Sequence, residues 1–272
     1  MGYYWMMLIE LKKVDVKLKD SFKVWIIWIV LSLMISSTVC SKVTSSLCKA
    51  FYRTFAQVYS QGYHDPLNEQ QTLSNYERFK QNKLYLPDGP EFMNNQHEYQ
   101  DKMVEYNRTF PTEVDKRAKI LKEIFAEIGE NVVIETPINS NWGCKHVHLG
   151  KNIYINSNVT FVDDDHIYIG DYTMFAPNVT IATAAHPILP SLRKQGYQYN
   201  LPVHIGQNVW LGAGVTVMPG VTIGDNSVIG AGSVVSRDIP PNCVAMGTPC
   251  KVVREIGEKD KKYYYRDREI DL

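Results

Sequence analysis

From Ile205 to Val235 the chain repeats itself every six residues: Ile205, Leu211, Val217, Ile223, Ile229 and Val235 hold the same place in successive hexapeptides. A branched aliphatic at a fixed six-residue period marks a solenoid. Each hexapeptide supplies one short flat side and turns its aliphatic inward. Val209, Val215 and Val221 follow four residues after the first three and begin to pack the corners. Gly, Asn and Asp fill the positions between, as tight turns require. One coil cannot bury its own apolar side, so coils must stack. Strands of a sandwich would instead alternate with period two. The fold class is therefore mainly β, a parallel β-helix built on hexapeptide repeats.

The same register extends upstream. Leu149, Ile155 and Phe161 are six apart, Asp163-Asp164-Asp165 interrupts, and Ile169, Phe175 and Ile181 resume it. The stretch from Ala185-His186-Pro187 to Pro202 has no hexapeptide pattern and reads as a loop over 185–202. A long loop inside a compact repeat is usually functional or disordered. The β-helix is assigned to 132–253, and the charged, tyrosine-rich stretch 254–272 to a C-terminal arm. Residues 75–131 read as a small helical cap on the acceptor side, since the end of a repeat stack needs covering. Its helices are expected at Asn75–Asn82, at Gln96–Tyr106 and from Thr112. Thr112 and Asp115 resemble a capping box there, and Val114, Ala118, Leu121, Phe125 and Ile128 form one apolar face ending at Gly129.

Residues 1–74 form an N-terminal extension unrelated to the repeat. Within it Val24–Ser41 is uncharged and begins with a strongly apolar run. That run fits a short single-pass membrane anchor and also a signal-peptide core; an extension without structure is a third reading. Gln57–Ser74 is polar and reads as a linker. Lys and Arg number 29 and Asp and Glu number 29, which gives no reason to expect a nucleic-acid partner. Five scattered cysteines without a CxxC pair argue against a disulfide framework or a zinc ribbon.

Asn208-Val209-Trp210-Leu211-Gly212, Pro219-Gly220-Val221-Thr222-Ile223-Gly224-Asp225-Asn226, Gly230-Ala231-Gly232-Ser233 and Gly247-Thr248-Pro249-Cys250 resemble the hexapeptide-repeat acetyltransferases. Tyr154-Ile155-Asn156, Val162-Asp163-Asp164 and Ala185-His186-Pro187 are similar to the galactoside and maltose O-acetyltransferase branch. The resemblance runs from about Asn75 to about Tyr265 and leaves out the first seventy residues or so. It implies a left-handed β-helix, an exception to the usual right-handed crossover. It also implies a homotrimer with acetyl-CoA between neighbouring subunits, and a cytoplasmic catalytic domain where that donor is found. The implied co-substrate is acetyl-CoA, with no bound cofactor and no metal, and the implied acceptor is a small sugar.

Acyl transfer to a hydroxyl needs a base, a means of holding the acceptor, and a donor for the oxyanion. His186 is the candidate base, where the repeat breaks; an ordinary loop histidine is the plainer alternative. By resemblance the acceptor is held by Asn156 and Asp164, with Tyr154 nearby and Asp88 on the cap. Trp142 stands where some relatives have a small polar residue and is a candidate for stacking on a sugar face. Simple turn chemistry would also account for Asn156 and Asp164. The family pattern points CoA to Ala213, whose N–H also suits the oxyanion, and to Ala231 against the pantetheine arm. Ser236, Arg237, Lys251 and Arg254 are the expected phosphate-contacting end. A xenobiotic or antibiotic acceptor, and a non-catalytic binding module, are the competing readings. A zinc enzyme on the same scaffold would need three converging histidines; His148, His166, His186 and His204 lack the close-spaced pair.

Overall fold

The computed structural model describes residues 73–92 and 96–272. The apolar run Val24–Ser41 lies outside the described residues, and among those described no helix is long and apolar enough to cross a membrane. The repeat becomes a parallel β-solenoid of about six turns with three flat sides. The first sheet stacks Glu127–Ile128, Val147–Leu149, Ile167–Ile169, Val203–Ile205 and Thr222–Ile223. The second stacks Val133–Ile134, Tyr154–Ile155, Met174–Phe175, Trp210–Leu211, Val228–Ile229 and Cys243–Met246. The third stacks Ile138–Ser140, Val159–Val162, Thr180–Ala182, Thr216–Val217 and Val234–Val235.

Inside, the periodic residues meet. All six aliphatics of the Ile205–Val235 series are buried, as are Leu149, Ile155, Phe161, Ile169, Phe175 and Ile181. Val209, Val215 and Val221 close the corners and are buried too. Each such side chain contributes roughly 1.5–3 kcal/mol on leaving water. Phe161 and Phe175 meet edge to face in the core, with ring centroids 6.3 Å apart. The corners demand left-handed backbone, and asparagine supplies it at Asn158, Asn178, Asn208, Asn226 and Asn242. Their amides then bond from coil to coil, Asn208 to Asn226 at 3.0 Å and Asn226 to Asn242 at 2.9 Å. Asn158 and Asn178, which also fit a glycosylation sequon, bond to one another in the same way. Gly212 answers a different need: a Cβ there would lie 2.6 Å from the Ala231 backbone nitrogen of the next coil.

The cap differs in detail from the sequence reading. Ser74 caps the helix Asn75–Lys80 through a capping box with Glu77. The second helix is Gln96–Asn107, close to expectation. The third is Val114–Ile124, and Thr112 is not its cap: Glu113 holds that position without a side-chain bond. Its buried face is Ile120, Leu121 and Ile124, whereas Val114 and Ala118 are exposed. Gly129 is not a helix terminus, because the first strand, Glu127–Ile128, has already joined the solenoid there. The helices seal the open coil with polar groups as well as apolar ones. Asn107 donates to the Ile138 carbonyl at 2.8 Å and accepts from its N–H at 2.9 Å. The Tyr106 hydroxyl and Arg117 both donate to the Ile134 carbonyl. At the far end Lys251–Glu255 pairs antiparallel with Cys243–Met246 and stops the stack. A helical turn, Glu258–Lys262, and a hairpin of Tyr263–Tyr265 with Arg268–Glu269 follow.

Candidate active site

Stretch 185–202 leaves the hexapeptide repeat and carries short elements of its own. Ala184–Ala185 pairs antiparallel with Tyr199–Asn200, and the helical turn Pro190–Lys194 fills the tip. His186 leaves the first strand of this hairpin, and its Nδ1 lies 2.9 Å from the Tyr197 carbonyl on the return arm. A carbonyl only accepts, so Nδ1 carries the proton and Nε2 keeps its lone pair. The ring is exposed.

The hairpin springs from the corner between the third and first sheets, and other candidate residues gather at the same corner one or two coils away. Asp164 accepts from the Asn141 amide at 2.9 Å through Oδ2, and its carbonyl accepts from Asn200 at 3.2 Å. Trp142 donates its backbone N–H to Asp163 at 2.8 Å. The Lys145 ammonium lies 5.5 Å from its ring centroid and the His146 ring 5.4 Å away, and the residue is half-buried. Asp88 lies exposed on the cap segment, where the Asn75 amide donates to it at 3.0 Å. Ser236 and Arg237 are exposed at this corner too, at the last coil.

A second group lies elsewhere. Asn156, Ala213 and Ala231 occupy the corner between the second and third sheets, Ala213 and Ala231 in successive turns and Asn156 two turns before Ala213. The Ala213 carbonyl accepts from Gly232 at 2.8 Å, which stacks its turn against that of Ala231. Among the described residues nothing accepts from the Ala213 N–H, and the residue is exposed. Asn156 turns its Oδ1 back onto the Ser157 N–H at 2.8 Å, which is turn chemistry. Tyr154 stands on the outer face of the second sheet, in register with Val133, Met174, Trp210 and Val228. That row is apolar and exposed over most of its length. The candidate residues of one chain thus fall at two different corners.

At the C-terminal end Lys251 is exposed, but Arg254 is engaged. Its guanidinium forks onto Asp260 at 2.7 and 2.8 Å, which holds that carboxyl down at about 2. Arg254 therefore reaches a phosphate only by sharing or leaving this carboxylate. No group of three or more metal-ligating side chains occurs among the described residues. His148 and His166 bond ring to ring at 2.8 Å instead of converging on a centre.

Two residues at the hairpin corner escaped the sequence reading. Tyr85 is buried, and its hydroxyl accepts from Gln198 at 2.5 Å and Asn200 at 2.9 Å. Asp163 is wholly buried and accepts from Ser140 at 2.5 Å as well as from Trp142. Burial pushes the Asp163 carboxyl up to about 6, against the pull of those donors. Above an unfolded value of 3.8, this means the folded protein binds more protons between about pH 4 and 6. Its contribution to stability is full below that window and is lost as pH rises through about 6. The displacement of roughly two pH units corresponds to about 3 kcal/mol. Asp163→Asn removes this dependence, so denaturation midpoints of wild type minus variant are expected to fall between pH 4 and 7. The difference isolates the carboxyl, because His146 and His166, pushed down by burial, act in the opposite direction in both proteins. A pH-independent difference would refute the assignment.

Comparison with known proteins places these features. Residues 202–237 match the family model described as bacterial transferase hexapeptide (six repeats). Residues 80–129 match the maltose acetyltransferase hexapeptide capping motif. The galactoside O-acetyltransferase of Lactococcus lactis subsp. lactis (strain IL1403) is 50% identical over 200 residues, 74% of this chain and 97% of that protein. A solved galactoside acetyltransferase in complex with coenzyme A superposes with TM-score 0.71 at 45% identity, covering 74% of this chain and 100% of that one. A maltose O-acetyltransferase from Clostridium difficile 630 does so with TM-score 0.65 at 42% identity, over 68% and 99%.

Proposed function

Since the chain belongs to the left-handed β-helix acetyltransferases of the galactoside and maltose branch, we propose that His186 is the base for acetyl transfer to a sugar hydroxyl. The enzyme is an acetyl-CoA-dependent O-acetyltransferase, with acetyl-CoA as co-substrate. The observation that carries the base assignment is the His186–Tyr197 hydrogen bond, which leaves Nε2 as an exposed lone pair. Nε2 takes the hydroxyl proton as the acceptor oxygen attacks the thioester carbonyl. The carbonyl oxygen becomes an oxyanion, for which the unpaired Ala213 N–H is the candidate donor. Collapse expels CoA thiolate, which takes the proton back from the imidazolium. No acyl-enzyme is needed, because neither Ser nor Cys accompanies His186 in its motif.

The two groups of candidate residues argue for a homotrimer. His186 and Asp164 lie at one corner, and Asn156, Ala213 and Ala231 lie along another. A neighbouring copy related by a closed threefold would bring the second corner of one chain against the first of the next. The apolar row Val133, Tyr154, Met174 and Trp210 is the surface such a neighbour would cover. Arg237, Lys251 and Arg254 then meet CoA phosphates, and Tyr154, Asn156, Asp164 and Asp88 meet the acceptor, with Trp142 the candidate for stacking on it. The catalytic domain works on the side of any membrane where acetyl-CoA is supplied, the cytoplasmic one. The test is a screen of galactosides, maltose, glucosides and non-sugar alcohols with acetyl-CoA, reading free thiol. Sugars are expected to release thiol at least about tenfold faster than equally concentrated non-sugar alcohols, an advantage of about 1.4 kcal/mol. Equal rates would remove the sugar assignment.

A further inference from the structure

We infer that Tyr85, on the cap, is a positioning residue for the transfer reaction, its hydroxyl tying down the return arm of the hairpin whose carbonyl orients His186. The inference rests on His186 being the base. The peptide between Tyr197 and Gln198 is gripped from both ends. Its carbonyl accepts from His186 Nδ1 at 2.9 Å, and its N–H donates to the Tyr85 carbonyl at 3.0 Å. The Tyr85 N–H answers with a bond to the Gln198 carbonyl at 2.9 Å, a two-bond bridge between cap and hairpin. The Tyr85 hydroxyl then ties the Gln198 and Asn200 side chains to the same ring. Asn200, buried in the return strand, hands the tie on to the Asp164 carbonyl at 3.2 Å. The ring itself is clamped by Phe92, stacked at 5.2 Å, and by Phe79, edge-on at 5.3 Å. Asp88 follows three residues later on the same cap segment. One buried tyrosine therefore links the base to a candidate acceptor-holding residue, Asp164.

A displacement of about 1 Å at a reacting group is enough to cost up to roughly 10²-fold in rate. Tyr85→Phe removes the hydroxyl alone and leaves the backbone bridge and ring packing. Its kcat for acetyl transfer is expected to fall roughly tenfold, with KM for acetyl-CoA within about twofold of wild type. Gln198→Ala, which removes one of the two side-chain ties from the hairpin side, is expected to act in the same direction and serves if Tyr85→Phe folds poorly. In a His186→Ala background either change is expected to cost nothing further, because the group being positioned is gone. A purely structural role would instead multiply the losses. Wild-type kcat in both single variants, or undiminished loss in the His186→Ala background, overturns the inference while leaving the base assignment standing. Near-normal turnover in His186→Ala alone overturns both.

Discussion

His186→Ala is expected to lower kcat by roughly 10²–10⁴-fold, the usual worth of a positioned general base. The hairpin survives the change, because the imidazole is exposed and its single bond goes to a carbonyl that water also satisfies. Circular dichroism and the oligomeric state are therefore expected to match wild type. KM for acetyl-CoA is expected to move little, since the proposed CoA contacts at Ala213, Ala231 and Arg237 are on other turns. His186→Asn keeps a polar group near the Tyr197 carbonyl but has no useful basicity, and is expected to be nearly as damaging. Near-normal turnover in the alanine variant at saturating acceptor would place the base elsewhere.

The periodic part of this molecule could be read directly. A six-residue aliphatic period admits few architectures, and every registered position from Leu149 to Val235 came out buried. Helix ends were harder, since Thr112 and Asp115 have the right chemistry for a cap but the chain stays in a turn until Val114. The stretch 185–202 defeated pattern reading for a physical reason: its strands are two residues long, too short to show alternation. Their order comes from Tyr85 and Asn200, more than a hundred positions apart, and contacts at that separation leave no local mark. Asp163 was hidden by its own neighbours, as one of three consecutive aspartates of which it alone is fully buried. Among the candidate site residues, motif likeness found those that the topology distributes over two corners. That they lie at two different corners of one chain is visible only in the fold.

Met174→Glu tests the proposed trimer and is expected to have the second large effect. Met174 faces outward in the middle of the second sheet, between Tyr154 and Trp210, while its neighbour Phe175 points into the core. The substitution therefore leaves the monomer's interior untouched. In an assembled trimer it buries an unpaired carboxylate, which costs about 3–5 kcal/mol per interface. Each 1.4 kcal/mol is tenfold in association, and the penalty recurs at every copy of the interface. The variant is expected to sediment as a folded monomer at micromolar concentration while the wild type stays assembled. Specific activity is expected to fall by about 10²-fold or more, in step with dissociation, and to recover as enzyme concentration is raised. That concentration dependence separates a broken assembly from a damaged active site, which would be equally poor at every concentration. A wild-type protein that sediments as a monomer yet turns over acetyl-CoA at full rate would refute the shared site, and with it the placement of Asn156 and Ala213 opposite a neighbour's His186.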